Sequence, residues 1–403
     1  MNDTQLKNIK TLRQNVRQMI NDKLSEEGQI WRESWIFLKY IFNLEERDLE
    51  LIELHASYLS GPNPFSYWYA PCSQVRPSGV QNHPEVKTYL NYTEGIDERY
   101  CISSPAISAL PMPYGIVFNG KIVNASIVRY QAAMSNCVTM GIFDELNKKD
   151  HPLICEIGSG FGGLAYHFSK RFKKSTYLLI DIPETLFIAG AYVVVNDPDA
   201  NVYVYDVKNF SKEFFIKNYR NYDYMLIPNT ALCDLEGIDI DLYVNMMSFQ
   251  EMPKESVDNY LRFARDNCRG FLYSSNAGKH PANKQLMSSV ENIICKYFEI
   301  FPSPKIYDDL HFDNSRNDQK VFIGRSKRFI KREESKSDIC GFAGGYIKVS
   351  DGKTKISVDK KNHKIKVERL GVIKMLKIRA RNEGIKSTLY GILQRVFSCM
   401  FNQ

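Results

Sequence analysis

None of the nine cysteines pairs in a Cys-x-x-Cys spacing or in any other metal-type pattern, and Cys155 and Cys295 fall inside apolar runs. This argues against a thiolate metal centre and against a disulfide framework, and leaves reduced cysteines of a cytoplasmic protein as the expectation. Long hydrophobic stretches are also missing, since no run approaches the ~18 consecutive apolar residues of a membrane span. The first residues, MNDTQLKNIKTLRQ, hold no apolar core of the kind a secretory signal needs. Basic residues are scarce relative to acids over most of the chain. The first 326 residues carry 34 Lys and Arg against 39 Asp and Glu, whereas residues 327–403 carry 19 against 7. The positive charge therefore belongs to the tail alone. Nucleic acid is not the expected partner there, because aromatic residues are sparsely interleaved with the basic ones.

What is present is concentrated between Leu153 and Glu184, LICEIGSGFGGLAYHFSKRFKKSTYLLIDIPE. A short apolar run ends in Gly158, Gly160, Gly162 and Gly163, and a helical pattern follows, which reads as strand, glycine loop and helix. Glycine lets a ligand approach the backbone closely. A second apolar run ends at Asp181, where a carboxylate is placed to bond a ribose diol. Ile182 supplies the next backbone amide. The glycines alone admit a dinucleotide or S-adenosylmethionine. Glu156, two residues before Gly158, has no use beside an anionic pyrophosphate but suits a ligand carrying a sulfonium and an ammonium. The stretch Glu156-Ile-Gly158-Ser-Gly160-Phe-Gly162 is thus similar to motif I of class I methyltransferases. The bland alternative pairs Glu156 with a nearby lysine and leaves the loop without a ligand.

The remaining pattern predicts a doubly wound α/β sheet flanked by two further regions. Residues 1–120 read as helices followed by a proline-rich, aromatic stretch that includes Tyr67, Trp68 and Tyr69, a substrate lid or an oligomerisation surface. Residues 121–146 read as helical, and residues 121–326 as the nucleotide-binding domain. Within it NVYVYD forms a third strand ending at Asp206, an acid placed to meet an adenine amino group, with Val207 giving an amide. The stretch MLIPNTALCDLEGID reads as irregular, and IDLYVNMMSF as the fourth strand with its loop. Residues 327–403 read as a basic extension: a three-stranded meander, then an amphipathic helix with Leu389, Ile392, Leu393, Val396 and Phe397 on one face and Lys374 and Lys377 in the positive region around it. Such a tail suits the anionic inner face of a membrane, or packing against the acidic remainder of the chain or of a second copy.

With motif I, the run Asp181-Ile182-Pro183-Glu184-Thr185 and the run Asn245 to Pro253 (NMMSFQEMP) all in place, the chain resembles a bacterial family of sugar O-methyltransferases over residues 120–326. The resemblance implies S-adenosylmethionine as cofactor and a sugar or glycan hydroxyl as acceptor in surface polysaccharide assembly. It places Asn245 and Ser248 beside the cofactor and the loop holding Gln250 and Glu251 beside the methyl group. Gln250 cannot take a proton, so Glu251 is the first candidate base, His280 the second and His311 the third. Some sugar O-methyltransferases use magnesium; Asp239, Asp241, Asp308, Asp309 and Asp313 are candidate ligands without diagnostic spacing. The competing readings are an NAD-dependent sugar dehydrogenase and a non-catalytic glycan-assembly protein.

Overall fold

A computed structural model describes residues 1–22, 42–52, 80–105, 115–277, 283, 289–301 and 319–329, and four strands between 346 and 377. The chain divides into two compact units, Met1–Phe329 and Ile330–Gln403.

In the first unit an eight-stranded sheet has the order β5-β6-β4-β3-β7-β8-β10-β9. Its strands are β3 (Leu153–Ile157), β4 (Thr176–Asp181), β5 (Val202–Val204), β6 (Tyr224–Pro228), β7 (Ile240–Met246), β8 (Cys268–Ala277), β9 (Phe298–Ile300) and β10 (Gln319–Ser326). The strands from β5 to β8 are parallel, and β10 runs antiparallel to β8 and β9. Parallel strands covered on both faces become continuous apolar runs, and β3 is buried at all five positions. Alternate side chains feed two cores. Ile154, Tyr177, Leu179, Leu226 and Val244 meet helices α1 (Asp3–Asn21), α3 (Ala125–Thr139), α5 (Gly163–Ser169) and α6 (Pro183–Asn196). Cys155, Leu178, Ile180, Met225 and Tyr243 meet α7 (Lys212–Asn218), α8 (Lys254–Asn267) and α9 (Val290–Tyr297). That is the doubly wound α/β class expected.

The described part of residues 1–120 shares this core. Asn2 and Gln5 form a capping box that starts α1. Ile9, Leu12 and Val16 then line one face, at the three- and four-residue steps of a helix. Gln5 Nε2 donates to Val194 O and Val195 O on α6. Close approach of the two helices is possible because α6 has Gly190 there, where a Cβ would lie 2.7 Å from Leu12. Helix α2 (Pro84–Thr93) packs on α3, with Ser135 Oγ donating to Tyr92 O at 2.7 Å.

Four local expectations need correction. Residues 121–123 are not helical: β1 (Ile116–Phe118) and β2 (Lys121–Val123) form a hairpin. Its turn is Asn119-Gly120, both with positive φ, as a two-residue hairpin turn requires. Helix α3 begins only after Asn124, whose side chain accepts from Ile127 N. The stretch read as irregular begins inside β6, an apolar five-residue run buried throughout. That strand lies between β4 and β5, so the carboxyl end of β5 is not beside β4. In the second unit the meander has four strands, β11 (Tyr346–Val349), β12 (Thr354–Asp359), β13 (Lys364–Arg369) and β14 (Val372–Lys377), all antiparallel. Lys374 and Lys377 thus belong to a strand. The amphipathic segment around Leu389 lies outside the described residues, as do Tyr67, Trp68 and Tyr69.

Candidate functional site

The glycine loop leaves the carboxyl end of β3, at the centre of the sheet. Gly158 has φ +72° and donates from its amide to Ile180 O on β4. A Cβ at Gly158 would lie 2.1 Å from Ser248 Oγ, so only glycine passes this point with the loop intact. Ser248 Oγ and Asn245 Nδ2 both donate to Ile157 O, at 3.1 and 2.8 Å, and Asn276 Nδ2 donates to Asn245 Oδ1 at 2.8 Å. Asn245 and Ser248, expected beside the cofactor, therefore brace the loop from β7. On the other side Asp181 accepts from Gly160 N at 2.9 Å and from Ile182 N at 2.8 Å. A Cβ at Gly160 would face open space, whereas one at Gly162 would lie 3.1 Å from Ala189 O of α6.

Charge at this point is one-sided. Glu156 is 2% exposed, and the Tyr177 hydroxyl donates to its Oε2 at 2.9 Å. Burial pushes its carboxyl up to about 8 against the pull of that bond, and neighbouring Asp181 adds to the rise. Asp181 is pushed up to about 7 by burial, against the amides of Ile182 and Gly160. No lysine or arginine pairs with Glu156 among the described residues, so the lysine-paired alternative finds no support. Among the described residues no cation offsets these two carboxyl groups, Glu156 beneath the glycine loop and Asp181 beside it.

Strand order puts the residues expected at the adenine on the edge of the sheet. Asp206 follows the edge strand β5, and its carboxylate closes a local turn by accepting from Lys208 N and Asn209 Nδ2. Val207 is 37% exposed beside it. Both are separated from β4 by the full width of β6. The residue following β6 is Asn229, whose Oδ1 is buried without a hydrogen-bond partner. Sequence reasoning missed Asn229, and also Tyr177 and Met247, a non-glycine residue held at φ +62° directly after β7. A left-handed residue there stores strain of the kind found at functional sites.

The loop after β7 turns through a 3₁₀ segment, Phe249–Glu251. Gln250 is 1% exposed; its Oε1 accepts from Ala277 N at 2.7 Å, and its Nε2 is buried without a partner. The carboxamide is thereby fixed to the carboxyl end of β8. Glu251 is half-buried at the end of the same turn. Helix α8 starts at Pro253 with no side-chain cap. His280 and His311 lie outside the described residues, as do Asp308, Asp309 and Asp313. Asp239 and Asp241 sit at the amino end of β7, the far end from the glycine loop. Asp241 accepts from Leu153 N and pairs with Lys149, and Asp239 pairs with Arg269, so both serve the fold. Among the described residues no cluster of three metal-ligating side chains occurs.

No protein-family model matches the chain, and no curated protein matches it in sequence. Solved structures align with part of the chain. A TehB-like SAM-dependent methyltransferase from Corynebacterium glutamicum is 12% identical, covering 49% of this chain and 97% of its own, with a TM-score of 0.30. The N-methyltransferase NodS from Bradyrhizobium japonicum, solved with S-adenosyl-L-homocysteine, is 11% identical over 60% of this chain and 98% of its own, at 0.31. An O-methyltransferase family protein from Burkholderia thailandensis is 10% identical over 49% and 58%, at 0.30. Likeness at this level carries no argument about reaction or substrate.

Proposed function

We propose that the chain is an S-adenosylmethionine-dependent O-methyltransferase acting on a sugar or glycan hydroxyl. The observation that carries the cofactor is Glu156, buried beneath the glycine loop with no cation beside it among the described residues, which an anionic dinucleotide would leave without a counter-charge. The oxygen and sugar part of the reading rests on the runs LIDIPET and SFQEMP. The cofactor supplies an electrophilic methyl group on a positively charged sulfur. The chain's residues have three tasks. Glu156 and Asp181 provide negative charge, and Asp181 also offers ribose bonds once the loop amides share it. Asn229 Oδ1 accepts from the adenine amino group, which relieves the cost of its burial. The loop after β7 holds the acceptor oxygen in line, about 3 Å from the methyl carbon, where Glu251 takes its proton.

Calorimetric titration tests the cofactor. S-adenosylmethionine and S-adenosylhomocysteine are expected to bind and NAD to give no heat; the reverse supports the dehydrogenase. Asp181→Ala should weaken binding by about 1–3 kcal/mol through lost charge-assisted bonds. Asn229→Ala should weaken it by about 1 kcal/mol, with Asp206→Ala unchanged. If Asp206→Ala weakens binding and Asn229→Ala does not, the adenine lies at β5 after all.

For residues 327–403 the reading is peripheral contact with an anionic membrane at its cytoplasmic face, which would hold the enzyme near a lipid-linked sugar. Liposome flotation is expected to show binding that needs anionic lipid, falls with salt and is lost on deletion of those residues. Equal flotation of full-length and truncated protein at low salt would make the segment a packing or self-association module instead.

A further inference from the structure

Tyr177 is the second residue of β4 and is fully buried, and pairing sets it opposite Ile154 rather than opposite Glu156. Its phenol therefore runs toward the carboxyl end of the sheet to reach the Glu156 carboxylate, a bond linking two strands beneath the glycine loop. The titratable groups that bear on Glu156 are Tyr177 and Asp181 from β4, Tyr130 from α3 and Cys155 beside it on β3. Each of these is neutral or acidic. A carboxylate so placed can stay ionised only when a cation arrives, and until then it holds a proton.

We propose that Tyr177 is a positioning residue that presents Glu156 as an exchangeable counter-charge, so that the site admits a cationic amino-acid nucleoside by giving up one proton to solvent. This rests on the methyltransferase reading and specifies how that site selects its cofactor. The exchange balances for S-adenosylmethionine, whose ammonium and sulfonium outweigh its one carboxylate by a single positive charge: the carboxyl loses its proton to solvent as that charge enters, and the net charge of the buried region is unchanged. A pyrophosphate-bearing ligand places anionic oxygens at the loop and gains nothing from that exchange.

The sign follows from burial. Glu156 in the free protein is pushed up to about 8, and a bound cation lowers that value, so binding releases a proton at any pH between the two. Affinity then rises with pH, by up to about tenfold per unit for one proton released. The useful window is about pH 6 to 7.5, because the ligand's own α-amino group titrates near 8.

Titration of S-adenosylmethionine, without acceptor, in phosphate and in imidazole buffer, which differ in ionisation heat, counts the protons. The wild-type protein is expected to release close to one proton at pH 6.5. Glu156→Gln keeps the shape and the Tyr177 contact, and should lose most of that release and flatten the affinity profile. Tyr177→Phe leaves the carboxyl without its stabilising bond and so raises its value in the free protein; at pH 8, where the wild-type carboxyl has lost about half of its proton before binding, the variant should release clearly more protons than wild type. A merely structural tyrosine would lower affinity and leave the proton count at wild type. Binding of the wild-type protein without proton release at pH 6.5 overturns the inference, as does a Tyr177→Phe proton count equal to wild type at pH 8, while leaving the cofactor reading intact. No binding at any pH removes both.

Discussion

Gly158→Ala is expected to abolish cofactor binding and to destabilise the first unit by about 2–5 kcal/mol. Two terms combine. Holding a residue with a Cβ at φ +72° costs about 1–2 kcal/mol. The added carbon would also lie 2.3 Å from Ser248 Cβ, a collision on the scale of core overpacking, about 1–3 kcal/mol. Ser248 cannot rotate away without cost, because its hydroxyl helps to hold Ile157 O, the last carbonyl before the loop. The loop must shift instead, carrying with it the Gly160 amide that binds Asp181. Thermal unfolding and S-adenosylhomocysteine titration check the two effects. The double variant Gly158→Ala/Ser248→Gly removes the collision and keeps the strained φ, so it should recover part of the stability. If it recovers none, Ser248 is not what confines the loop.

The parts of this site legible in the sequence are those that one strand and its following turn decide. A central parallel strand shows as an unbroken apolar run, and a turn of left-handed residues shows as glycines, so β3, its loop and the acid ending β4 could be read directly. Strand order is a tertiary property and could not. The strand Tyr224–Pro228 does not read as one, because it ends in proline and precedes a loop rich in small and polar residues. Its insertion puts Asp206 at the end of the edge strand and Asn229 at the end of the strand beside β4. Side-chain partnerships were equally hidden. Nothing in a chain with 24 tyrosines singles out Tyr177 as the partner of Glu156. The tie from Gln250 to Ala277 spans 27 positions and depends on β8 lying beside β7.

Glu251→Gln is expected to lower turnover by roughly 10² or more, the scale of a lost general base, with cofactor affinity near wild type. Asn245 and Ser248 fix the start of the loop to β3, and Gln250 fixes its middle to β8. A turn held at both points gives Glu251 little freedom to drift, since its own amide donates to Ser248 O at 3.0 Å. Gln250 contributes rigidity and a buried amide but no proton acceptor, so the proposed reaction takes Glu251 as the base on this loop. The glutamine variant keeps the size and hydrogen-bonding reach of the side chain and removes its ability to carry a proton away, so an effect on turnover without an effect on binding isolates that role. It is measured as S-adenosylhomocysteine formed from S-adenosylmethionine in the presence of a sugar acceptor. Should Glu251→Gln turn over at the wild-type rate while His280→Ala does not, the proton passes to His280 and Glu251 serves the loop alone.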